Sequence, residues 1–324
     1  MSETNWVVKA SGIILLFAVA AILTPAQTPQ VVAPAGPLFT TLHTFDRADG
    51  SSPRATLVQA TDGNLYGTAA LGGSTSCSFG CGTVFKITPG GIAFTLHTFS
   101  GVSTSGLIQG NNGDLYGTTY SGGTGDCYKG CGAVFQVSTT GSWTILHSFC
   151  SRRGCPDGQY SNAELVQAAD GNFYGTTVRG GADYRGTVFS IAPTGEFTTL
   201  HSFDATYGGQ PLAGLVEDTD GTFYGTTSAV QANAYGTTFS LSVGLGPVVN
   251  PQPAYGQVGT AINILGTNLT GATSVTFNGT AAVFALISRS LIATTVPTGA
   301  TTGTVQVITP KGMLSSNIAF LVRP

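Results

Sequence analysis

The sequence predicts an all-β protein, a four-bladed β-propeller followed by an immunoglobulin-like β-sandwich. Three observations predict it: 46 glycines recurring among Thr, Val, Tyr and Phe, a Leu-Tyr-Gly-Thr type of phrase used four times, and a change of texture after residue 243. Short apolar runs punctuated by glycine suit strands joined by tight turns. With 324 residues and 42% hydrophobic content, two domains can each bury a core. Only 8% of residues are charged and the formal net charge is −3. That leaves no field to steer nucleic acid, so a nucleic-acid partner is excluded.

The chain opens with Lys9 and an apolar run from Gly12 to Leu23. The run is short for spanning a bilayer and matches the core of a secretory signal. Small residues at Thr24 to Ala26, or Ala33 to Ala35, supply a cleavage neighbourhood. Residues 1–26 are therefore expected to be a signal peptide, or an uncleaved anchor since Glu3 offsets Lys9, with 27–37 as a linker. No cysteine follows the run, which excludes lipidation there.

Residues 38–243 hold the repeats. Tyr66, Tyr116, Tyr174 and Tyr224 lie 50, 58 and 50 residues apart, each followed by Gly-Thr. Gly82-Thr-Val-Phe85, Gly132-Ala-Val-Phe135, Gly186-Thr-Val-Phe189 and Gly236-Thr-Thr-Phe239 keep step with them. So do Leu42-His-Thr-Phe45, Leu96-His-Thr-Phe99, Leu146-His-Ser-Phe149 and Leu200-His-Ser-Phe203. Repeats of this length, read as four antiparallel strands, match propeller blades. In the first unit the strands run over 55–60, 65–70, 82–87 and 94–99, with Asp62-Gly63 as a hairpin turn. The fourth unit ends at Leu241 without an outer strand, while Phe39 to Phe45 is an outer strand with no unit before it. Pairing the two would close the ring and leave no bare edge.

Asp62-Gly-Asn-Leu-Tyr-Gly-Thr68, then Gly-Gly, Gly-Thr-Val-Phe and Leu-His-Ser-Phe, resemble the GloVer repeats of bacterial surface proteins over residues 38–241. The resemblance implies an exported propeller with no established catalytic residues. Residues 246–324 contain Ile262-Asn-Ile-Leu265, Val275-Thr-Phe277, Gly303-Thr-Val-Gln-Val-Ile308 and Ile318-Ala-Phe-Leu-Val322, alternating strands at sandwich spacing. This segment resembles an IPT/TIG domain, which implies a spacer or carbohydrate-associated unit. Residues 246–322 contain no Cys, His, Asp or Glu, so ordinary acid, base or metal chemistry is excluded there.

In an up-and-down blade, the loops between second and third strands share one end with the crossings between blades. Cys77, Cys81, Cys127, Cys131, Cys150 and Cys155 all fall at that end, in three local pairs that read as disulfides in an exported protein. Their Cys-x-x-x-Cys spacing is not the usual zinc knuckle, and neither a metal nor a cofactor is expected. His43, His97, His147 and His201 lie on outer strands of different blades, so they cannot converge and are read as structural. One aromatic precedes each third strand, Phe79, Tyr128, Tyr184 and Tyr235, with Asp126, Asp183 and Arg185 beside them. Rings with a few charges are what a ligand surface requires. The expectation is a non-enzymatic surface binding or adhesion module, secreted or at the bacterial cell surface, recognising polysaccharide or another envelope component. Two alternatives stand beside it. One is a propeller hydrolase or lyase using Asp126, Asp157 or Asp183, whose paired carboxylates for glycosidase chemistry would lie roughly 5 to 10 Å apart. The other is a structural spacer.

Overall fold

The computed structural model describes residues 39–74, 81–102, 105–204, 206, 208–228 and 235–324. The chain divides into two units, Met1–Thr40 and Thr41–Pro324. The architecture below is that of the second. The expected signal segment and linker fall wholly outside the described residues, as do Cys77 and Phe79.

The described residues form strands and turns with no helix, an all-β chain consistent with a β-propeller-like fold. The repeats build successive antiparallel sheets. The second holds Ile108–Gln109, Leu115–Thr119, Ala133–Val137 and Trp143–Ser148; the third holds Val166–Gln167, Phe173–Thr177, Thr187–Ile191 and Phe197–Ser202. The first has the same four, Val58–Gln59, Leu65–Leu71, Thr83–Ile87 and Ala93–Thr98, and adds Ser51–Pro53 on the inner edge of Leu65–Leu71. Register repeats with the sequence: Tyr66 faces Lys86, Tyr116 faces Gln136 and Tyr174 faces Ser190. Even the bulge recurs, at Val84/Phe85, Val134/Phe135 and Val188/Phe189.

Local chemistry explains the repeated phrases. Gly63, Gly113, Gly171 and Gly221 close the first hairpins at φ of 80°, 87°, 82° and 84°, where a side chain would be strained. The next glycine answers to packing. A Cβ at Gly117 would meet Phe135 Cζ at 2.7 Å, and one at Gly175 would meet Phe189 Cζ at 2.6 Å. The glycine of Tyr-Gly-Thr therefore stands opposite the phenylalanine of the next strand because the ring tip takes the place of a side chain there. Two of the tyrosines then pack on the following unit, Tyr116 on Phe173 at 4.0 Å and Tyr174 on Phe223 at 4.3 Å. Outer-strand phenylalanines join neighbours in the same way, Phe99 to Phe135 and Phe149 to Phe189.

The fourth sheet differs. It has three strands, Val216–Glu217, Thr222–Thr227 and Thr237–Ser242, and no outer strand among the described residues. This corrects the expected pairing: Thr41 to Phe45 forms no strand and does not pair with Thr237–Ser242. It packs instead on the first sheet, Phe45 on Phe85 at 5.0 Å, and the Leu42 carbonyl lies against Gly91. Leu96 and Leu146 stand in the same relation to Gly141 and Gly195. The segment thus occupies the place of a preceding outer strand beside the first unit, while the fourth-to-first contact is left open. Tyr224 is 38% exposed where Tyr66 and Tyr116 are 0%.

The C-terminal domain has two four-stranded sheets over one core that includes Val249, Ile264, Val275, Phe277, Ile292 and Val305. It meets the repeats at the hairpin-turn end. A ladder of glutamines runs there. Gln59, Gln109 and Gln167 each donate to the glycine carbonyl four residues on, and Gln109 and Gln167 accept from the backbone amides of Thr61 and Asn111 in the preceding unit. Gln59 instead accepts from Arg323 of the C-terminal domain, whose guanidinium also lies 3.8 Å from the Tyr255 ring. Asn317 bonds to the Gln167 carbonyl at 3.2 Å, to Glu217 at 2.7 Å and to Asn111 at 3.1 Å. The C-terminal domain therefore touches all four units.

Candidate functional site

At the opposite end the first strands converge. Thr56, Gly106, Glu164 and Gly214 hold equivalent positions, each just before the conserved-in-repeat leucines Leu57, Leu107, Leu165 and Leu215. The Glu164 carboxylate reaches across to Thr56 Oγ1, which donates to it at 2.5 Å. A Cβ at Gly106 would lie 1.8 Å from Glu164 Oε1, so that glycine clears the carboxylate's path. Contact between the first and third units shows how tightly the repeats curve.

From this mouth a cleft of 710 Å³ runs along the fourth sheet, lined among others by Glu164, Val166, Leu215, Val216, Tyr224 and Thr238. It combines one carboxylate, a phenol and hydroxyls with an apolar wall, the composition of a small-molecule site. A second cleft, of 240 Å³, lies at the outer edge between His201, Phe203, Phe239 and Leu241. It occupies the place where the other sheets carry the next outer strand.

Glu164 was missed because it stands at a position where the repeats differ. The signal was present: Thr, Gly, Glu and Gly at one repeat position, a single charge between two residues without side chains.

The residues singled out from sequence lie elsewhere. Tyr128, Tyr184 and Tyr235 are exposed, and no ring pair among the described residues joins them. Lys129 lies 5.5 Å over the Tyr128 ring. Asp183 is exposed, Arg185 accepts from the Gln210 amide through its carbonyl, and Asp126 donates its amide to the Cys150 carbonyl. Asp157 does not reach the cleft: it bonds His147 at 2.8 Å and the Cys150 amide at 3.1 Å. The carboxylate lining this cleft is Glu164, not Asp126, Asp157 or Asp183.

His43 and His147 bond Asp49 and Asp157, His97 and His147 stack on Trp143 and Phe197 of the next units at 3.9 Å, and His201 lines the second cleft. Burial pushes the His97 pKa down. Cys127 pairs with Cys131, and Cys150 with Cys155.

At the hairpin end, burial raises the Glu217 pKa, and hydrogen bonds from Asn317 and the Ala169 amide oppose it without cancelling it. Its Oε1 is buried with no hydrogen-bond partner. Burial likewise raises the Tyr66 and Tyr174 phenols, reinforced by hydrogen bonds to Asp62 and Asp170.

The Gloeobacter/Verrucomicrobia repeat family matches residues 31–156 and 73–282, and an IPT/TIG domain matches 248–322. No curated protein matches the chain. Among solved structures, the chain is similar to the gluconolactonase XC5397 from Xanthomonas campestris, at 14% identity, over 82% of this chain and 86% of that one, with a TM-score of 0.37. The periplasmic gluconolactonase PpgL of Pseudomonas aeruginosa is 15% identical over 84% and 87%, with a TM-score of 0.35. A putative 6-phosphogluconolactonase from Bacteroides uniformis is 15% identical over 80% and 78%, also at 0.35. The expectation of a non-enzymatic binding module is not what the comparison returned: the structures found are named as lactone hydrolases. At such identities and scores they carry no argument about this chain's chemistry, which rests on the cleft.

Proposed function

Because the chain belongs to the Gloeobacter/Verrucomicrobia repeat family and carries an IPT/TIG domain, we propose that it is an exported propeller-type hydrolase acting on a carbohydrate ester or lactone at the axial mouth. The observation that carries the reading is Glu164, held by Thr56 across the axis and opening into a cleft of apolar and hydroxyl groups. One positioned carboxylate serves as general base for a water attacking an acyl carbon. Hydroxyl donors such as Tyr224 and Thr238 offer hydrogen bonds to the oxyanion that develops. Leu215 and Val216 give the apolar face on which a sugar ring rests. Glycosidic cleavage fits less well, since Glu164 is the one carboxylate lining the cleft.

In this reading the repeats form a four-bladed ring. The tight curvature that brings Thr56 to Glu164 supports four units rather than more.

The activity is tested with the full chain on sugar lactones and acetylated oligosaccharides, following acid release. Glu164→Gln should lower kcat/KM about 100-fold or more with an unchanged melting temperature. Turnover that survives this substitution, or none by the unsubstituted chain on either substrate class, overturns the reading.

A further inference from the structure

Cys127 and Cys131 sit in the loop before the strand Ala133–Val137, and Cys150 and Cys155 sit in the crossing after Trp143–Ser148. The two loops come from different parts of the sequence, yet all four sulfurs lie within 4.8 Å of one another. Among the described residues this is the one group of three or more His, Cys, Asp or Glu ligand atoms gathered so closely. Cys131, Cys150 and Cys155 are buried.

Backbone hydrogen bonds hold the loops together independently of the sulfurs. The Asp126 amide donates to the Cys150 carbonyl at 3.1 Å, and the Tyr160 amide to the Cys131 carbonyl at 2.7 Å. The Cys155 carbonyl accepts from Gly158 at 3.0 Å and from Gly181 at 2.8 Å. A Cβ at Gly125 would meet the Cys131 sulfur at 3.0 Å, so a glycine clears the space beside the cluster. Cutting the S–S bonds would leave this frame standing.

Four thiolates on tetrahedral zinc, with Zn–S near 2.3 Å, stand about 3.8 Å from each other. The gathered sulfurs, all within 4.8 Å of one another, already occupy a volume of that size. We propose that Cys127, Cys131, Cys150 and Cys155 form a four-thiolate zinc(II) site in the reduced protein, with the two disulfides as its oxidised state. The interchange balances. Each disulfide takes two electrons and two protons from a dithiol reductant, which leaves as its own disulfide. Zinc(II) then binds the four sulfurs and displaces their four protons. An oxidising compartment holds the disulfides, and a reducing one exposes the metal site. Cys81 belongs to a different unit and takes no part.

The test reduces the full chain with a phosphine, removes the reductant without air, and titrates cobalt(II) as a spectroscopic stand-in for zinc. The expected result is one equivalent per chain, with the ligand-field and sulfur charge-transfer bands of tetrahedral tetrathiolate cobalt, displaced by one equivalent of zinc(II). Cys127→Ser and Cys155→Ser should each weaken binding more than about 100-fold or shift the bands to fewer thiolates. A Cys77→Ser, Cys81→Ser double variant should keep the full stoichiometry and spectrum. Circular dichroism of the reduced chain reports whether the frame persists. No binding by the reduced chain, folded or not, overturns the proposal, as does a spectrum that survives Cys155→Ser.

Discussion

Glu217 stands where the other three units have Gln59, Gln109 and Gln167. Each glutamine amide donates to the carbonyl of Gly63, Gly113 or Gly171. A glutamate at that position brings an oxygen where the others bring an N–H. Accordingly Glu217 Oε1 has no partner, and the residue is only 8% exposed. Leaving a buried acceptor unsatisfied costs about 1–3 kcal/mol. Glu217→Gln retains the acceptor for Asn317 and restores a donor toward Gly221, so it should stabilise the fold by about 1–2 kcal/mol near neutral pH. For a chain of this size that is a rise of roughly 2 °C in Tm per kcal/mol. The gain depends on pH. Burial raises the folded pKa of Glu217 above its ordinary value, so its stabilising neutral form is fully present below the unfolded pKa and lost as pH rises through the folded one. Asp170 and Tyr174 face it, and the Asp170 charge pushes in the same direction. Urea denaturation of both chains from acid to mildly alkaline pH would show the difference growing with pH. A variant less stable at alkaline pH, or a difference independent of pH, would refute the reasoning.

Gly117→Ala should destabilise by about 1–3 kcal/mol, because its Cβ would meet Phe135 Cζ at 2.7 Å in a closed core; thermal melting reads it. Gly225→Ala, which meets Phe239 beside the open edge, should cost less since that ring has room to move. Arg323→Ala removes the cap on Gln59 and the contact with Tyr255, and should speed amide exchange in the first hairpin more than in the second or third. Burial raises the Asp62 pKa, but hydrogen bonds from Tyr66 and Asn64 outweigh it and hold the carboxyl below its usual range. Its contribution is therefore present above the unfolded pKa and lost as pH falls through the folded one, and Asp62→Asn should flatten acid melting curves.

Features set by neighbours along the chain were legible in the amino-acid order. Asp62-Gly63 and its counterparts place the hairpins, since positive φ selects glycine wherever it occurs. Tyr66, Phe85 and their repeats set the register, because a period-two pattern admits one pairing that buries both. The C-terminal domain was legible in the same way, through alternation alone. Contacts across the repeats depend instead on how the sheets stack in space. The curvature that carries Thr56 to Glu164 is a sum of small rotations between sheets, and no local pattern records it. Equally, Arg323 reaches Gln59 from 264 residues away, and four sulfurs gather from two loops that read as separate pairs. The open face of the fourth sheet belongs with these, because whether Thr41 to Phe45 pairs with Thr237–Ser242 depends on how the first and last units approach, a distance set by every sheet between them.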